Sequence, residues 1–266
     1  MDLSFIGAGN LAWHLAPALE NAGHRINEVY SRQLSHARQL VANLYDAQTH
    51  SELNFADSRS NLFVLAVPDD ALEAVCQRLV LPENALVVHT SGSQPLASLT
   101  GWLSIYSDIP VRTGVFYALQ TFSKTQPPVD FADVPIFLEA TDKAGEDALT
   151  ELGQALSNTV YLLTSDERRR LHVAAVFANN FTNHLLTVAH DLLIGTELEF
   201  DWLRPIIRET WRKALAADDP ADAQTGPARR GDFGTIDAHL SLLRGRPDWA
   251  ELYEVLTASI ERRFGQ

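Results

Sequence analysis

Apolar and polar positions follow two regimes along this chain. In the first, short apolar runs recur at Asp2–Ile6, Arg25–Tyr30, Phe63–Val67, Ala85–Val88, Val115–Leu119, Ile136–Leu138 and Val160–Leu163. Phe63–Val67 is apolar throughout, the pattern of a strand covered on both faces of a parallel sheet. Helical spacing fills the intervals: Leu15, Ala18 and Leu19 before Gly23, then Ser35–Leu44 with Leu40, Val41 and Leu44 on one side. Ala71–Leu79 follows, opened by Pro68-Asp69-Asp70, and Lys143–Leu156 closes the series. Strands alternating with helices predict an α/β, doubly wound architecture up to about Thr164. Beyond Leu163 the strand pattern stops. Thr164-Ser165-Asp166-Glu167 reads as a capping box that opens a helix extending to Leu193. Further helices are expected at Asp201–Ala216, with Pro205 in the first turn where proline is tolerated, at Thr235–Leu243 and at Pro247–Phe264. The expected organisation is therefore two domains, 1–164 doubly wound and 165–266 all-helical.

The first predicted strand runs straight into Gly7-Ala8-Gly9-Asn10-Leu11-Ala12 and then a helix. G-x-G-x-x-A in that position is the phosphate turn of a Rossmann-type dinucleotide fold. Gly7 allows the tight turn, Gly9 lets the backbone approach a pyrophosphate, and the small Ala12 lets helix and strand pack closely. The anion would sit over the N–H groups of the helix start, with Asn10 and Leu11 at the turn. At the end of the second strand, NAD-binding folds usually place an acid that bonds the ribose 2′-hydroxyl. Here the chain reads Tyr30-Ser31-Arg32. Ser31 and Arg32 suit a 2′-phosphate, so NADP(H) is the expected cofactor, and the missing acid speaks against a methyltransferase.

Composition narrows the class. A formal net charge of -13 over 266 residues opposes non-specific binding to nucleic acid or to anionic membrane. It leaves room for a local basic pocket. Cys76 is the single cysteine, which excludes an intrachain disulfide and fits a reducing compartment. It reads as a small buried hydrophobe in a helix. The first strand begins at Asp2, where a signal peptide would stand, and no apolar run reaches membrane-spanning length. A cytoplasmic protein is expected.

Several segments carry candidate chemistry. Val67 and Pro68 follow a central strand and should line the dinucleotide cleft, because ligands bind at the carboxyl ends of such strands. His89-Thr90-Ser91-Gly92-Ser93 ends another; Ser91 and Ser93 either hold a substrate oxygen or form only a polar turn. On the long helix His172, Asn179, Asn183 and His190 share one sector at 3.6 residues per turn, opposite Ala174, Phe177, Phe181, Leu185 and Leu192. That stripe borders a substrate cleft or forms a hydrogen-bonded seam. His172 is the candidate proton donor and Asn180, slightly offset, the candidate for orienting a substrate oxygen. Thr225–Asp232 brings two arginines into an acidic protein, with Arg230 a candidate anion clamp, Asp232 a helix cap and His239 beyond it. The bulky apolar residues Trp202, Ile206, Trp211, Leu252 and Leu256 exceed what a small helical domain can bury, so a homodimer is expected. The expected ligand is a small molecule, anionic if Arg230 clamps it, with neither nucleic acid nor membrane as partner.

Together these motifs resemble the bacterial proteins that join a Rossmann-like NADP-binding domain to a helical domain of unknown function, the deazaflavin-dependent NADP oxidoreductase-like proteins. The resemblance covers essentially the whole chain. Its specific carriers are Tyr117–Phe122, Leu171-His172 with Asn180-Phe181, and Thr225-Gly226-Pro227 with Arg230-Gly231-Asp232; Gly7–Ala12, Ala66–Asp69 and His89–Gly92 add to it. More distantly the chain is similar to pyrroline-5-carboxylate reductases and β-hydroxyacid dehydrogenases, whose helical domains complete the active site and usually dimerise. Two positions depart from the pattern. Ala118 stands where a proline is expected. The β-hydroxyacid dehydrogenases place Lys and Asn four residues apart on the long helix, whereas here His172 is followed four residues later by Val176, so lysine chemistry does not transfer. The resemblance implies cofactor and fold but no substrate. The expected function is an NADP(H)-dependent oxidoreductase acting on a small C=O or C=N group; the alternative is an NADP(H)-binding sensor without turnover.

Overall fold

The structure is a computed structural model in which residues 1–264 are described. The chain forms two compact units, one spanning Met1–Ala178 and the other running from Asn179 onward. The first contains an eight-stranded sheet: β1 Asp2–Ile6, β2 Arg25–Tyr30, β3 Gln48–His50, β4 Leu62–Leu65, β5 Leu86–His89, β6 Arg112–Ala118, β7 Ile136–Ala140 and β8 Val160–Leu162. The strand order is β3-β2-β1-β4-β5-β6-β7-β8. Strand order reverses between β1 and β4, and a crevice opens there at the carboxyl ends.

Side-chain alternation makes the sheet two-faced. Leu3, Phe5, Leu62, Val64, Leu86 and Val88 enter one core with Leu15 and Leu19 of helix α1 (Asn10–Asn21), Leu40 of α2 (Leu34–Val41) and Leu149 of α5 (Lys143–Gln154). Ile6, Phe63, Leu65 and Val87 enter the opposite core with Leu72 and Cys76 of α3 (Leu72–Cys76) and Leu99 and Leu103 of α4 (Leu96–Tyr106). Neighbours in sequence thus serve opposite faces, as a period of two requires. Burial also pushes the Cys76 thiol up to about 12, which makes it an inert core residue.

The doubly wound reading holds, with corrections. β7 runs antiparallel to β6, so the sheet is mixed rather than parallel throughout. Residues 119–135 supply no crossing helix, only a 3-10 turn at Phe131–Asp133, so the chain returns beside the strand it left. The helix expected over Ala71–Leu79 is only α3 preceded by a 3-10 turn at Asp69–Ala71. The short β3 and the whole of α4 have no clear counterpart in the apolar pattern. α4 carries apolar residues on several sides and Gly101 at its centre, which blurs the helical period.

After β8, Thr164 accepts from the Glu167 N–H while Glu167 bonds back to the Thr164 N–H, the predicted capping box. It opens α6 (Ser165–Ala175). The helix does not continue to Leu193 with one period. A π-helical turn occupies Val176–Phe181 before α7 (Thr182–Asp191) begins. Each π turn takes in an extra residue, so the 3.6-residue spacing that placed His172 with Asn179, Asn183 and His190 does not apply across it. The second unit continues with α8 (Arg204–Ala216), α9 (Pro227–Arg230), α10 (Phe233–Leu242) and α11 (Pro247–Phe264). α9 is a short helix inside what reads as a loop. Asp232 caps α10, accepting from both N–H and hydroxyl of Thr235.

Candidate active site

The first part of the site is a cavity of about 520 Å³ at the strand-order reversal. Gly7, Gly9, Asn10, Ser31, Arg32, Val67 and Pro68 all line it, joined by His36 and Gln39 of α2 and by Lys124. Gly7 has φ +112, and a Cβ there would collide with the Ala66 carbonyl oxygen; its N–H donates to Tyr30 O at 2.8 Å. Only glycine meets both demands. At Gly9, which also lines the cavity, a Cβ would make only an ordinary contact, 3.7 Å from the same oxygen. Among the described residues no side chain caps α1, and its first turn holds no acid. That leaves the helix start ready for an anion. Leu11 differs from the others: its side chain packs against the core rather than the cavity.

The loops after β4 and β5 form the second part. Asp69, next to the cavity wall at Pro68, accepts from Ser91 Oγ at 2.8 Å and Ser93 Oγ at 2.5 Å. Ser91 Oγ also accepts from the N–H groups of Ser93 and Gln94, at 3.0 and 2.9 Å. The two serines are therefore organised by an acid that ties the β5 loop to the cleft. His89 lies fully buried below, its Nδ1 accepting from Ser91 N–H at 3.2 Å.

Burial, reinforced by the Arg168 charge, lowers His89 from 6.5 to about 4. The ring is thus neutral in the fold at physiological pH. The unfolded chain takes the proton near 6.5 and the native one only near 4, so stability is full above 6.5 and falls as pH drops between those values. The loss should reach about 3 kcal/mol by pH 4. Urea unfolding at pH 7 and pH 4.5 should show it, and His89→Asn, which keeps an acceptor for Ser91, should flatten the profile. An equally steep profile in the variant would exclude His89 as the cause.

The third part joins β6 to α6. Tyr117 Oη and His172 Nδ1 lie 3.0 Å apart, with the rings edge to face at 5.9 Å. Burial raises the Tyr117 phenol pKa, so the phenol keeps its proton beside the His172 ring. Nε2 of His172 has no hydrogen-bond partner among the described residues. Gly92 fits between them: a Cβ there would stand 2.5 Å from His172 Nδ1 and 2.9 Å from Tyr117 Cζ. One turn earlier on α6, Arg168 is almost completely buried and ion-paired with Glu139 of β7. Its second amino group donates to Gln94 O at 2.6 Å. Ser165 Oγ donates to Glu139 and accepts from Leu96 N–H at 2.9 Å. This network fixes α6, and with it His172, to the β5 loop.

Comparison with known proteins then places the chain. Residues 2–92 match the family model for coenzyme F420-dependent NADP oxidoreductases, and residues 134–260 match a domain of unknown function, DUF2520. A Bacteroides fragilis protein, described as a "putative NADP oxidoreductase", is 40% identical, with 98% of each chain covered and a TM-score of 0.86. The chain belongs to the same NADP oxidoreductase-like family, with an F420-dependent NADP oxidoreductase-like first part and a DUF2520 second part. A Thermotoga maritima protein, at 19% identity, covers 97% of this chain and 99% of its own with a TM-score of 0.69. An imine reductase of Myxococcus stipitatus, solved in complex with NADP+, is 16% identical over 98% of this chain and 93% of its own, with a TM-score of 0.65. These two share the fold. No curated protein matches the chain.

In this NADP oxidoreductase-like chain the remaining candidates belong to the second unit. Asn180 lies exposed in the π turn, its Oδ1 accepting from Asn179 Nδ2 at 3.5 Å. Arg230 is exposed at the end of α9 and faces Asp232 at 3.9 Å. His239 meets Tyr253 Oη at 2.9 Å. Among the described residues no helix is long and apolar enough to cross a membrane. Sequence reasoning missed Tyr117 as the partner of His172, Asp69 as the organiser of the serines, and Lys124 at the cavity. It also missed Arg168, since an arginine in the first turn of a helix ordinarily points to solvent.

Proposed function

We propose that the chain is an NADP(H)-dependent oxidoreductase that moves hydride between the nicotinamide and a small C=O or C=N group. The observation that carries this reading is the Tyr117–His172 hydrogen bond, seated on Gly92 one residue from the Asp69-tethered Ser91. A proton-handling pair thus adjoins the β5 loop, which Asp69 ties to the segment after β4 that lines the cavity. NADPH, when bound, supplies the hydride. The turn at Gly7 and Gly9 receives the pyrophosphate, and Ser31 and Arg32 receive the 2′-phosphate. Ser91 orients the polarised group. His172, in its protonated form, gives the Nε2 hydrogen to the carbonyl oxygen or imine nitrogen. The ring is left neutral with its hydrogen on Nδ1, held by Tyr117 Oη. A panel of 2-oxo acids, cyclic imines and oxidised or reduced deazaflavin, followed at the nicotinamide absorbance, tests the reading. Turnover of one member is the expected result. Tight NADPH binding without turnover anywhere on the panel would favour the sensor instead.

We further propose that the second unit associates with a second copy of the chain. Trp202 is 62% exposed and Ile206 65%, and Leu192, Ile194, Leu198, Trp211, Leu215, Leu242 and Val255 are exposed as well. Among the described residues from Asn179 onward, only Ile236 and Leu243 are buried apolar side chains. A helical unit with so small a core of its own gains stability by covering these faces. Light scattering at micromolar concentration should give about twice the 29.4 kDa chain mass. A monomer mass would refute the dimer.

A further inference from the structure

Among the residues lining the dinucleotide cavity, the cation nearest the glycine turn comes from neither β1 nor α1. It is Lys124, on the segment between β6 and β7. Its Nζ donates to Ala8 O at 2.6 Å, the carbonyl between the two turn glycines, and stands 5.4 Å from the Trp13 ring centroid. Its N–H reaches Asn10 Oδ1 at 3.4 Å. The segment is held on both sides of it by one buried side chain, His14 of α1. Val129 N–H donates to His14 Nδ1 at 3.2 Å, and His14 Nε2 then donates to Ser123 O at 3.0 Å. Phe122 packs against both His14 and Phe131. Lys124 is thus delivered to the turn by a fastened strap.

Neither the Ala8 carbonyl nor the Trp13 ring supplies a counter-charge. An ammonium has three donors, and one carbonyl engages one of them. Among the described residues Lys124 forms no salt bridge, although the protein has 34 acids against 21 lysines and arginines. A half-buried cation facing a cavity without a carboxylate lacks its anion. The turn itself offers only neutral N–H groups. We infer that Lys124 is the counter-charge for the cofactor's pyrophosphate, and that the strap bearing it works as a phosphate clamp. This rests on the NADP(H) reading above and adds a division of labour to it. Arg32, beyond β2, reads the feature that separates NADPH from NADH, whereas Lys124 reads the phosphates they share.

The division makes the test. Dissociation constants for NADPH and NADH are measured by nicotinamide fluorescence for the wild-type chain, Lys124→Gln, Lys124→Arg and Arg32→Asp. Lys124→Gln should weaken both cofactors by the same factor, about ten- to hundredfold, as expected for losing a charge-assisted bond. Lys124→Arg should recover most of the affinity. Arg32→Asp should spare NADH. Unchanged binding in Lys124→Gln, or a loss confined to NADPH, overturns the inference. Binding of neither cofactor by the wild-type chain would defeat the NADP(H) reading itself. Should Lys124→Gln fail to fold, amine acylation of the wild-type chain decides, with Lys143 and Lys213, the other two lysines, as internal controls. NADPH and NADH should each slow labelling of Lys124 selectively; an unchanged rate overturns the inference.

Discussion

Replacing His172 with alanine is expected to leave NADPH affinity intact and to lower turnover of the panel substrate by about 10²- to 10⁴-fold, the usual contribution of a positioned acid. The ring stands on α6 with Nδ1 engaged by Tyr117 and Nε2 without a partner among the described residues, so Nε2 is the nitrogen left to exchange a proton with a substrate. Tyr117→Phe removes the Nδ1 partner but keeps the ring and its packing. The expected loss is smaller, about tenfold, because orientation suffers while the donor remains. A His172→Ala enzyme with undiminished kcat would remove His172 from the chemistry. Gly92→Ala should behave like a combined lesion, since a Cβ there meets both members of the pair.

Arg32→Asp is the second large effect. The wild-type chain should bind NADPH more tightly than NADH. The cavity places Ser31 and Arg32 with His36 and Gln39, and among the described residues no carboxylate lines it. A guanidinium pairs with a 2′-phosphate through charge-assisted bonds, whereas an aspartate repels that phosphate and accepts from a ribose hydroxyl. The substitution should reduce NADPH affinity by about a hundredfold or more and invert the preference. Titration of both cofactors against both proteins checks it. Equal affinities in the wild type would mean that Arg32 is a solvated surface charge.

Much of this protein was readable from its sequence because the relevant physics is local. Asp2–Ile6, Arg25–Tyr30 and Pro247–Phe264 have the predicted bounds, since an apolar run or a helical period is a property of adjacent residues. Gly7 was legible for the same reason: a tight strand-to-helix turn needs φ +112, which a side chain disfavours. The Thr164 capping box closes within four residues. The tertiary structure alone decided the rest. Tyr117 and His172 are 55 residues apart, Glu139 and Arg168 are 29 apart, and Lys124 lies 116 residues from the Ala8 carbonyl it meets. No local pattern encodes such pairs; they follow from strand order and from the antiparallel return of β7. The π turn escaped because its residues suit an α-helix equally well, so backbone hydrogen bonding rather than composition selects it. The sequence by itself determined the cofactor turn, the layered architecture and the identity of His172 as a candidate. Packing determined what stands beside it, because a side chain's partner is set by which strands become neighbours, and that is a property of the whole sheet.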